Sequence, residues 1–229
     1  MQQRTLDPRL SLAFDLYDPC ELAADIGTDH AHLPAALLQR GRCQHMILTD
    51  ISKSALENAR MEIIRLRLTD RVSLRLGDGL SPVFEKCGAI SVMGMGGRTI
   101  RDILLSGASR LQGATLVLSA HTDWHLIRSA VQDIGYYLDR EEPCFAAGRY
   151  YLVLRARPGS FPMTEQEIRL GRPLFRSESP VLIPFLRRRR EVLQEHLRGL
   201  LSASFPDESE IRILRQDLDF YDSFLGSRS

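Results

Sequence analysis

The sequence predicts an α/β protein in which a doubly wound, largely parallel sheet is followed by a smaller helical segment. Three observations support this fold class. Short apolar runs alternate with stretches of helical periodicity from residue 20 to about residue 157. A Pro-Gly-Ser-Phe-Pro break then occupies residues 158–162, and strand-like patterns end there. Amphipathic stretches of helical period fill the remainder, so we expect a sheet domain over 1–160 and a helical domain over 161–229.

Buried strands are predicted where Val, Ile and Leu cluster in short runs bounded by Gly, Asp or Pro. Six runs have this pattern: 20–26, 45–50, 71–77, 89–94, 114–120 and 150–156. Residues 136–144 are also strand-like, and they lead to the last run without an intervening helix. These two segments are therefore expected to pair as an antiparallel hairpin at the edge of the sheet.

Helical periodicity predicts four helices between the strands and three after the break. They are 34–40, 52–68, 98–106, 123–135, 164–172, 181–203 and 207–225. The last two helices carry leucine-rich stripes and are joined by a short Ser/Pro/Asp turn, which predicts an antiparallel helical hairpin of the coiled-coil kind. The alternative is that both helices simply pack on the sheet domain.

Composition and charge exclude several classes of protein. The chain is 44% hydrophobic and 26% charged with a formal net charge of +1, which is typical of a globular protein and unlike a disordered one. No apolar run approaches the ~18 residues that a membrane-spanning helix needs, and the first residues contain no apolar leader core. The four cysteines are dispersed without metal-ligand spacing, so we expect reduced thiols, no metal and a cytoplasmic protein.

The first predicted strand ends in a glycine turn that leads into a helix, within residues 24–34. Such a turn directs backbone N–H groups towards a ligand at the carboxyl edge of the sheet. Dinucleotide-binding proteins place G-x-G-x-x-G here, whereas this chain has Gly27 followed by Asp29 and Ala31 at the later positions. Because Asp29 would repel a pyrophosphate, the turn favours S-adenosylmethionine, which carries a cationic sulfonium and no phosphate.

Acidic residues and glycines also end the next three predicted strands. Asp50 lies 23 positions after Gly27, where an acid can accept hydrogen bonds from ribose hydroxyls. Asp78 is suited to the exocyclic amine of adenine, and the adjacent Gly79 permits close approach. The glycine-rich stretch 94–97 fits a loop that lies against two ligands at once.

Each of these features has a purely structural alternative. Asp25, Asp29 and Asp50 are also suitable helix N-caps. Residues 78–79 are typical of a tight turn, and the stretch 94–97 is compatible with a packing adjustment. The occurrence of all of them in order at four strand ends favours a binding site over four separate explanations.

Three motifs connect the chain with a known family. D-I-G-T-D-H-A-H-L-P (25–34), R-L-G-D-G-L (75–80) and G-M-G-G-R-T-I-R-D-I-L (94–104) resemble the bacterial tRNA (adenine-22-N1)-methyltransferase family, and the likeness covers about residues 5–190. The resemblance implies a Rossmann-like class I methyltransferase sheet with a C-terminal antiparallel helical hairpin, S-adenosylmethionine as the methyl donor and tRNA as the substrate. His32 departs from the family pattern, which commonly has Tyr there.

The resemblance also implies which residues form the site. The cofactor-binding positions are Asp25, Gly27, Asp29, His30, Asp50, Ile51, Asp78, Gly79 and Gly94. The catalytic positions are Asp29, His30, Gly94 and Met95. The in-plane lone pair of adenine N1 is free at neutral pH, so the enzyme has to align it with the sulfonium methyl rather than remove a proton first.

Within that mechanism, the Asp29 carboxylate and the carbonyls of 94–97 are expected to receive the exocyclic amine of the target adenine. Positive charge that develops on the base would then face oxygen atoms. His30 or His32 is expected to stack on the base or to move the later proton. The alternative for His30 is that it only orients its neighbours.

Arginines cluster in the predicted helical domain, where residues 168–200 hold eight arginines and three glutamates. Phosphate contact is the functional interpretation of this cluster. It assigns RNA binding to Arg172, Arg176, Arg187 and Arg188. The alternative is a solvated helix face that is paired with Glu191 and Glu195.

Three other functions stay open on the sequence alone. The first is a class I methyltransferase that modifies another RNA, a protein or a small molecule. The second is a non-catalytic RNA-binding module that keeps the methyltransferase fold. The third is a dinucleotide oxidoreductase, which the missing glycines disfavour. We expect the protein to act on tRNA as a monomer, without a membrane or a metal.

Overall fold

The computed structural model describes residues 5–228; residues 1–4 and 229, which fall in the two predicted domains, lie outside it. A seven-stranded sheet forms the centre of the described chain. Its strands are β1 (Cys20–Ile26), β2 (Cys43–Asp50), β3 (Val72–Leu76), β4 (Ala89–Met95), β5 (Thr115–Ala120), β6 (Tyr136–Ala146) and β7 (Arg149–Pro158). All the strands predicted from the sequence are confirmed, with small shifts at their ends.

The strand order β3-β2-β1-β4-β5-β7-β6 is that of a doubly wound sheet. Strands β1 to β5 run parallel, and β7 enters antiparallel between β5 and β6. The predicted edge hairpin is therefore confirmed, with β6 as the outer strand. Ala147 and Gly148 form its turn with φ angles of 48° and 75°, which a tight two-residue hairpin loop requires. The Rossmann-like fold class is confirmed.

Helices cover both faces of this sheet. They are α1 (Pro8–Leu16), α2 (His32–Gln39), α3 (Lys53–Arg65), α4 (Gly97–Ser106), α5 (Ala108–Leu111), α6 (Trp124–Asp133), α7 (Glu165–Leu170), α8 (Leu182–Leu201) and α9 (Glu208–Gly226). The predicted helices are all present, and α1 and the short α5 are additional. Across residues 5–228, no helix is both long enough and apolar enough to cross a membrane.

Alternate residues of the strands face two separate hydrophobic layers. Ala23 and Leu48 belong to the layer that packs on α1, α2 and α3. Ile26 and Val92 belong to the opposite layer, which packs on α4, α6 and the C-terminal helices. Because both faces are covered, the central strands read as continuous apolar runs in the sequence.

A buried ion pair joins the sheet to the C-terminal segment. Arg128 on α6 and Glu141 on β6 are 2% and 0% exposed, and hydrogen bonds of 2.9 and 3.0 Å link them. The Arg128 guanidinium also donates to the carbonyls of Ile168 and Arg169. Gly171 lies against this pair with a φ of 91°, and a Cβ there would come within 2.3 Å of Glu141 Oε2. The chain therefore needs glycine at this position.

The helices α8 and α9 run antiparallel and are joined by residues 202–207. Arg190 Nη2 donates to Asp222 Oδ2 at 3.1 Å, and His196 Nε2 lies 3.4 Å from Glu210 Oε1. Near the sheet the pair contributes four side chains to the central core: Leu182, Phe185, Leu186 and Tyr221. The two helices therefore pack on the sheet at one end and against each other at the other end.

Candidate active site

An open cavity of about 330 Å³ lies at the carboxyl ends of β1 and β4. Its walls come from the β1–α2 loop, from α1, from the end of β4 and from the residue after β5. Five of the predicted site residues line it: Asp25, Gly27, Asp29, His30 and Gly94. Because ligands of open α/β sheets bind at this edge, the cavity is the candidate active site.

Asp25 is the buried carboxylate of this site, at the end of β1. The Thr28 hydroxyl donates to Asp25 Oδ2 at 2.5 Å, and the Ser91 hydroxyl donates to Oδ1. Burial raises the pKa of Asp25, and the two hydroxyls only partly oppose this effect. Asp25 thus fixes the shape of the β1–α2 loop in addition to lining the cavity.

Gly27 turns the chain out of β1 with a φ of 78°. A Cβ at this position would lie 2.0 Å from Met95 Cε, because the Met95 side chain crosses directly over the glycine. Met95, which was predicted to be catalytic, therefore packs on the loop and does not line the cavity. Only glycine combines this φ angle with this contact.

Asp29 and His30 form an accessible pair at the mouth of the cavity. His30 Nε2 lies 3.2 Å from Asp29 Oδ2, and the two side chains are 59% and 57% exposed. Asn58 Nδ2 donates to the other oxygen of Asp29 at 3.1 Å. The His30 and His32 rings are stacked with their centroids 5.5 Å apart. A flat polar surface with an exposed carboxylate thus faces any ligand that enters.

Gly94 presents its carbonyl at the opposite side of the cavity, with a φ of 77°. His121 Nε2 lies 3.0 Å from this carbonyl oxygen. The His121 ring makes an edge contact with Tyr151 at 6.1 Å, and the Arg9 guanidinium lies 5.3 Å from the centre of the Tyr151 ring. One lone pair of the Gly94 carbonyl stays available when His121 donates to the other.

Sequence reasoning missed Arg9, His121 and Tyr151. His121 follows β5 directly, so the rule that functional groups sit at the carboxyl ends of parallel strands was sufficient to find it. Tyr151 belongs to a strand predicted only as buried. Arg9 lies on α1, a helix that was not predicted although it begins with an Asp-Pro pair, which is a common start of a helix. Asp7 is its N-cap, and the Asp7 carboxylate accepts from the Leu10 amide at 3.0 Å.

The other predicted cofactor residues lie along the same edge of the sheet, at the ends of β2 and β3, and do not line this cavity: Asp50, Ile51, Asp78 and Gly79. The Gly77 amide donates to the Asp50 carbonyl at 3.0 Å, which holds the two strand ends together. Ile51 and Asp78 are exposed.

Asp50 has one carboxylate oxygen engaged locally, because Oδ1 accepts from the Ser52 amide at 2.7 Å. The N-cap of α3 is Ser52, whose hydroxyl oxygen accepts from the Ala55 amide. Asp50 is therefore not the cap of this helix. Its second oxygen makes no hydrogen bond to the described chain, so it can accept from a ligand hydroxyl.

Comparison with known proteins decides the family. Residues 6–154 match the model of a family described as a methyltransferase domain. The tRNA (adenine(22)-N(1))-methyltransferase of Bacillus subtilis is 30% identical over 161 residues, which cover 69% of this chain and 68% of that protein. The chain belongs to the tRNA (adenine(22)-N(1))-methyltransferase family.

Solved structures are similar to this tRNA methyltransferase over nearly all of its length. A Streptococcus agalactiae protein of the NADB-Rossmann superfamily is 27% identical with a TM-score of 0.84, covering 97% of this chain and 98% of that one. A Streptococcus pneumoniae protein in complex with S-adenosyl-L-methionine is 25% identical with a TM-score of 0.83, covering 96% and 100%. The likeness therefore includes the C-terminal helices as well as the sheet.

The polar groups of this methyltransferase fit S-adenosylmethionine. Asp25, Asp29, Asp50 and Asp78 place carboxylates along the ligand edge, which suits a sulfonium, ribose hydroxyls and an exocyclic amine and disfavours a pyrophosphate. Gly27 lines the cavity, and the absence of a side chain there lets a ligand approach the backbone. Across residues 5–228, no three His, Cys, Asp or Glu side chains are grouped to hold a metal ion.

The four arginines that were predicted to bind RNA separate into two pairs. Arg172 donates to both oxygens of Glu167 at 2.5 and 2.7 Å, and its guanidinium lies 4.6 Å from the Phe161 ring centre. Arg176 borders the same hollow of the surface as Arg172. The second pair is on α8, where Arg188 donates to Glu191 at 2.9 Å and both partners are exposed. The exposed Arg187 completes this pair.

Proposed function

We propose that this methyltransferase transfers a methyl group from S-adenosylmethionine to N1 of adenine 22 in tRNA. The observation that carries the proposal is the cavity at the carboxyl ends of β1 and β4, where Asp29, His30 and the Gly94 carbonyl meet. Membership of the tRNA (adenine(22)-N(1))-methyltransferase family supports the choice of substrate and position.

The carboxyl edge of the sheet holds the donor in this proposal. S-adenosylmethionine supplies an electrophilic methyl group on its sulfonium when it is bound. Gly27 lines the cavity and lets the donor approach the backbone, while Asp25 keeps the loop in shape. Asp50, together with the adjacent Ile51, receives the ribose, and Asp78 with Gly79 receives the adenine ring of the donor.

The acceptor adenine is oriented by Asp29 and Gly94. The exocyclic amine donates to the Asp29 carboxylate and to the Gly94 carbonyl, so positive charge that develops on the base faces two oxygen atoms. His30 supports the base from one side through its stacked ring. Met95 acts indirectly, since it keeps the Gly27 turn in place. The adenine has to leave its helical stack to expose N1, at a cost of a few kcal/mol.

The helical segment 161–229 positions the tRNA, and the segment 1–160 carries the chemistry. Arg187 and Arg188 contact phosphates from α8, and Arg172 and Arg176 form a second phosphate-binding patch. Arg172 is expected to bind phosphate more weakly than the others, because its guanidinium already donates to the Glu167 carboxylate. Charge reversal at Arg187 should weaken tRNA binding and reduce its salt dependence.

Methylation of a transcript tests this proposal directly. The protein is incubated with tritiated S-adenosylmethionine and unmodified tRNA, and digested nucleosides are then separated. Label should appear as 1-methyladenosine, and a tRNA in which guanosine replaces adenosine 22 should stay unlabelled. Label in another nucleoside, in protein or in a small molecule would replace the substrate assignment, and no labelled product would overturn the function.

We also propose that the enzyme works as a monomer in the cytoplasm, where tRNA is matured. The four cysteines are free thiols in the structure, which suits a reducing compartment. Light scattering coupled to size-exclusion chromatography should give one chain mass, about 25.9 kDa. A mass near twice that value at assay concentrations would contradict the monomer.

A further inference from the structure

A second hollow lies between the sheet edge and α8, away from the candidate active site. Its volume is about 470 Å³. We call it the aromatic–arginine cleft, and the side chains that define it are Trp124, Phe145, Arg149, Tyr150, Arg188 and Arg189. No acidic side chain lines it among the described residues.

Aromatic rings form a connected floor in this cleft. The Phe145 and Tyr150 ring centres are 4.9 Å apart, and the buried Phe185 lies 5.9 Å from Tyr150 and 5.6 Å from Trp124. Phe145 is 48% exposed at the open end. Phe185 therefore anchors the floor in the core, and Phe145 exposes about half of its surface to solvent.

Arginines supply the rim of the cleft. Arg189 lies over the Trp124 ring with its guanidinium 5.0 Å from the ring centre. Arg149 is exposed at the start of β7. An aromatic floor with a cationic rim is the chemistry that binds an unstacked nucleotide, because the base stacks on a ring while arginine contacts the phosphate.

The cleft and the candidate active site lie on either side of the β5–α6 turn. A hollow of about 280 Å³ lies over the β5–α6 turn between them. It shares His121 with the active-site cavity, and it shares Trp124 and Arg189 with the cleft. A nucleic-acid strand that places one base beside His121 would pass over this turn, and over the exposed Asp123, to reach α8.

We propose that the aromatic–arginine cleft binds a second, unstacked nucleotide of the tRNA whose adenine enters the active site. This inference rests on the proposed function and adds a binding site to it. Phe145 stacks on the extra base, and Arg149 and Arg188 contact its phosphate. The two extruded nucleotides together fix the register of the RNA strand on the enzyme.

The tryptophan content of the chain provides a direct test. Trp124 is the only tryptophan, so intrinsic indole emission reports on the cleft and on the adjoining hollow over the β5–α6 turn. Unmodified tRNA should change Trp124 emission and slow its quenching by acrylamide, whereas S-adenosylmethionine alone should leave both unchanged. Unaltered emission and unaltered acrylamide access at saturating tRNA would overturn the proposal.

Kinetics of two variants provide a second test. Phe145→Leu removes the stacking ring, and Arg149→Glu reverses one rim charge. Because base–aromatic stacking is worth about 1–3 kcal/mol, Phe145→Leu should raise KM for tRNA about tenfold. Arg149→Glu should also raise this KM, because it replaces a phosphate contact with a repulsive charge. kcat and the KM for S-adenosylmethionine should stay as in the parent enzyme. The matched control is Lys86→Glu, an equal charge change at an exposed residue ahead of β4, at the opposite sheet edge.

These outcomes separate the cleft from the proposed function. Normal methylation by both variants with an unchanged KM for tRNA would overturn the cleft and leave the function intact. Absence of methylation by the parent enzyme would overturn the function. In that case a tRNA-dependent change of Trp124 emission would still support the cleft as an RNA-binding site.

Discussion

At the candidate active site the Asp29 and His30 side chains are more than half exposed, whereas at the junction of sheet and C-terminal helices Arg128 and Glu141 are almost fully buried. The junction also includes Arg169, which donates to Asp217 at 2.8 and 3.0 Å. Both regions combine acids with bases. The difference is that junction charges are paired away from water, and active-site charges stay available to a ligand.

That difference predicts opposite consequences of mutation. A buried charge that loses its partner keeps its desolvation cost, so the folded state becomes less stable. An exposed pair contributes about 0–1 kcal/mol, so its loss affects folding little. We therefore expect junction variants to change stability and active-site variants to change turnover.

The largest effect is expected at the junction. Glu141→Gln leaves the Arg128 guanidinium buried without a counter-charge and should lower the free energy of unfolding by about 3–5 kcal/mol. Urea unfolding measures this value. Replacing both partners together, as Arg128→Met with Glu141→Leu, should restore much of the loss. A decrease below about 1 kcal/mol in the single variant would remove the distinction between the two regions.

The next effect is expected on turnover at the active site. Asp29→Ala removes an oxygen that is proposed to face the target amine, and kcat should fall about a hundredfold, equivalent to about 2.7 kcal/mol. The melting temperature should stay close to that of the parent. Asp70→Ala, at an exposed acid outside the site, is the control. Near-normal methylation by the Asp29 variant would refute its role.

A smaller effect is expected from Gly27→Ala. The new Cβ meets Met95 Cε, and an alanine at a φ of 78° is strained, so the free energy of unfolding should fall by about 1–2 kcal/mol. Affinity for S-adenosylmethionine, measured by calorimetry, should fall as well. Adding Met95→Ala should relieve the contact and leave only the backbone strain. If the double variant is no more stable than Gly27→Ala alone, the contact between the new Cβ and Met95 does not contribute to the loss of stability.

The smallest effect concerns Asp25, the buried acid of the active-site region. Burial raises its pKa above the ordinary value, so its ionised form costs stability, and this cost disappears as the pH falls below the pKa of the unfolded chain, near 4. Asp25→Asn should therefore be slightly more stable than the parent at pH 7.5 and no more stable at pH 4. Urea unfolding at both values measures this, and a less stable variant at pH 7.5 would contradict it.

Strands were predictable because their signal is local. The run Cys20–Ile26 has the same bounds in the sequence prediction and in the structure, since apolar residues covered on both faces need no partner information to be recognised. The turn at Gly27 was also predictable, because a chain that turns sharply out of a strand beside a ligand commonly requires glycine.

Contacts between distant segments were not predictable from local patterns. The edge contact of His121 with Tyr151 depends on the antiparallel pairing of β5 with β7. The sequence predicted that β7 pairs with β6, but it did not predict which strand lies on the other side of β7. The pairing of Arg172 with Glu167 was not predicted for a different reason. Its partner Glu167 also forms the capping box of α7 with Thr164. The same carboxylate thus caps a helix and pairs with Arg172, and the number of charged residues in the segment does not reveal either interaction.

The reversed direction of β7 couples the two proposed RNA sites. Its first residues arrive beside the carboxyl end of β5, and successive side chains point to opposite faces. Tyr151 thus reaches the Arg9 and His121 side, while its neighbour Tyr150 reaches Phe185 in the cleft. A one-residue shift of β7 against β5 would exchange the two rings, so the pairing of these two strands sets which ring faces each site.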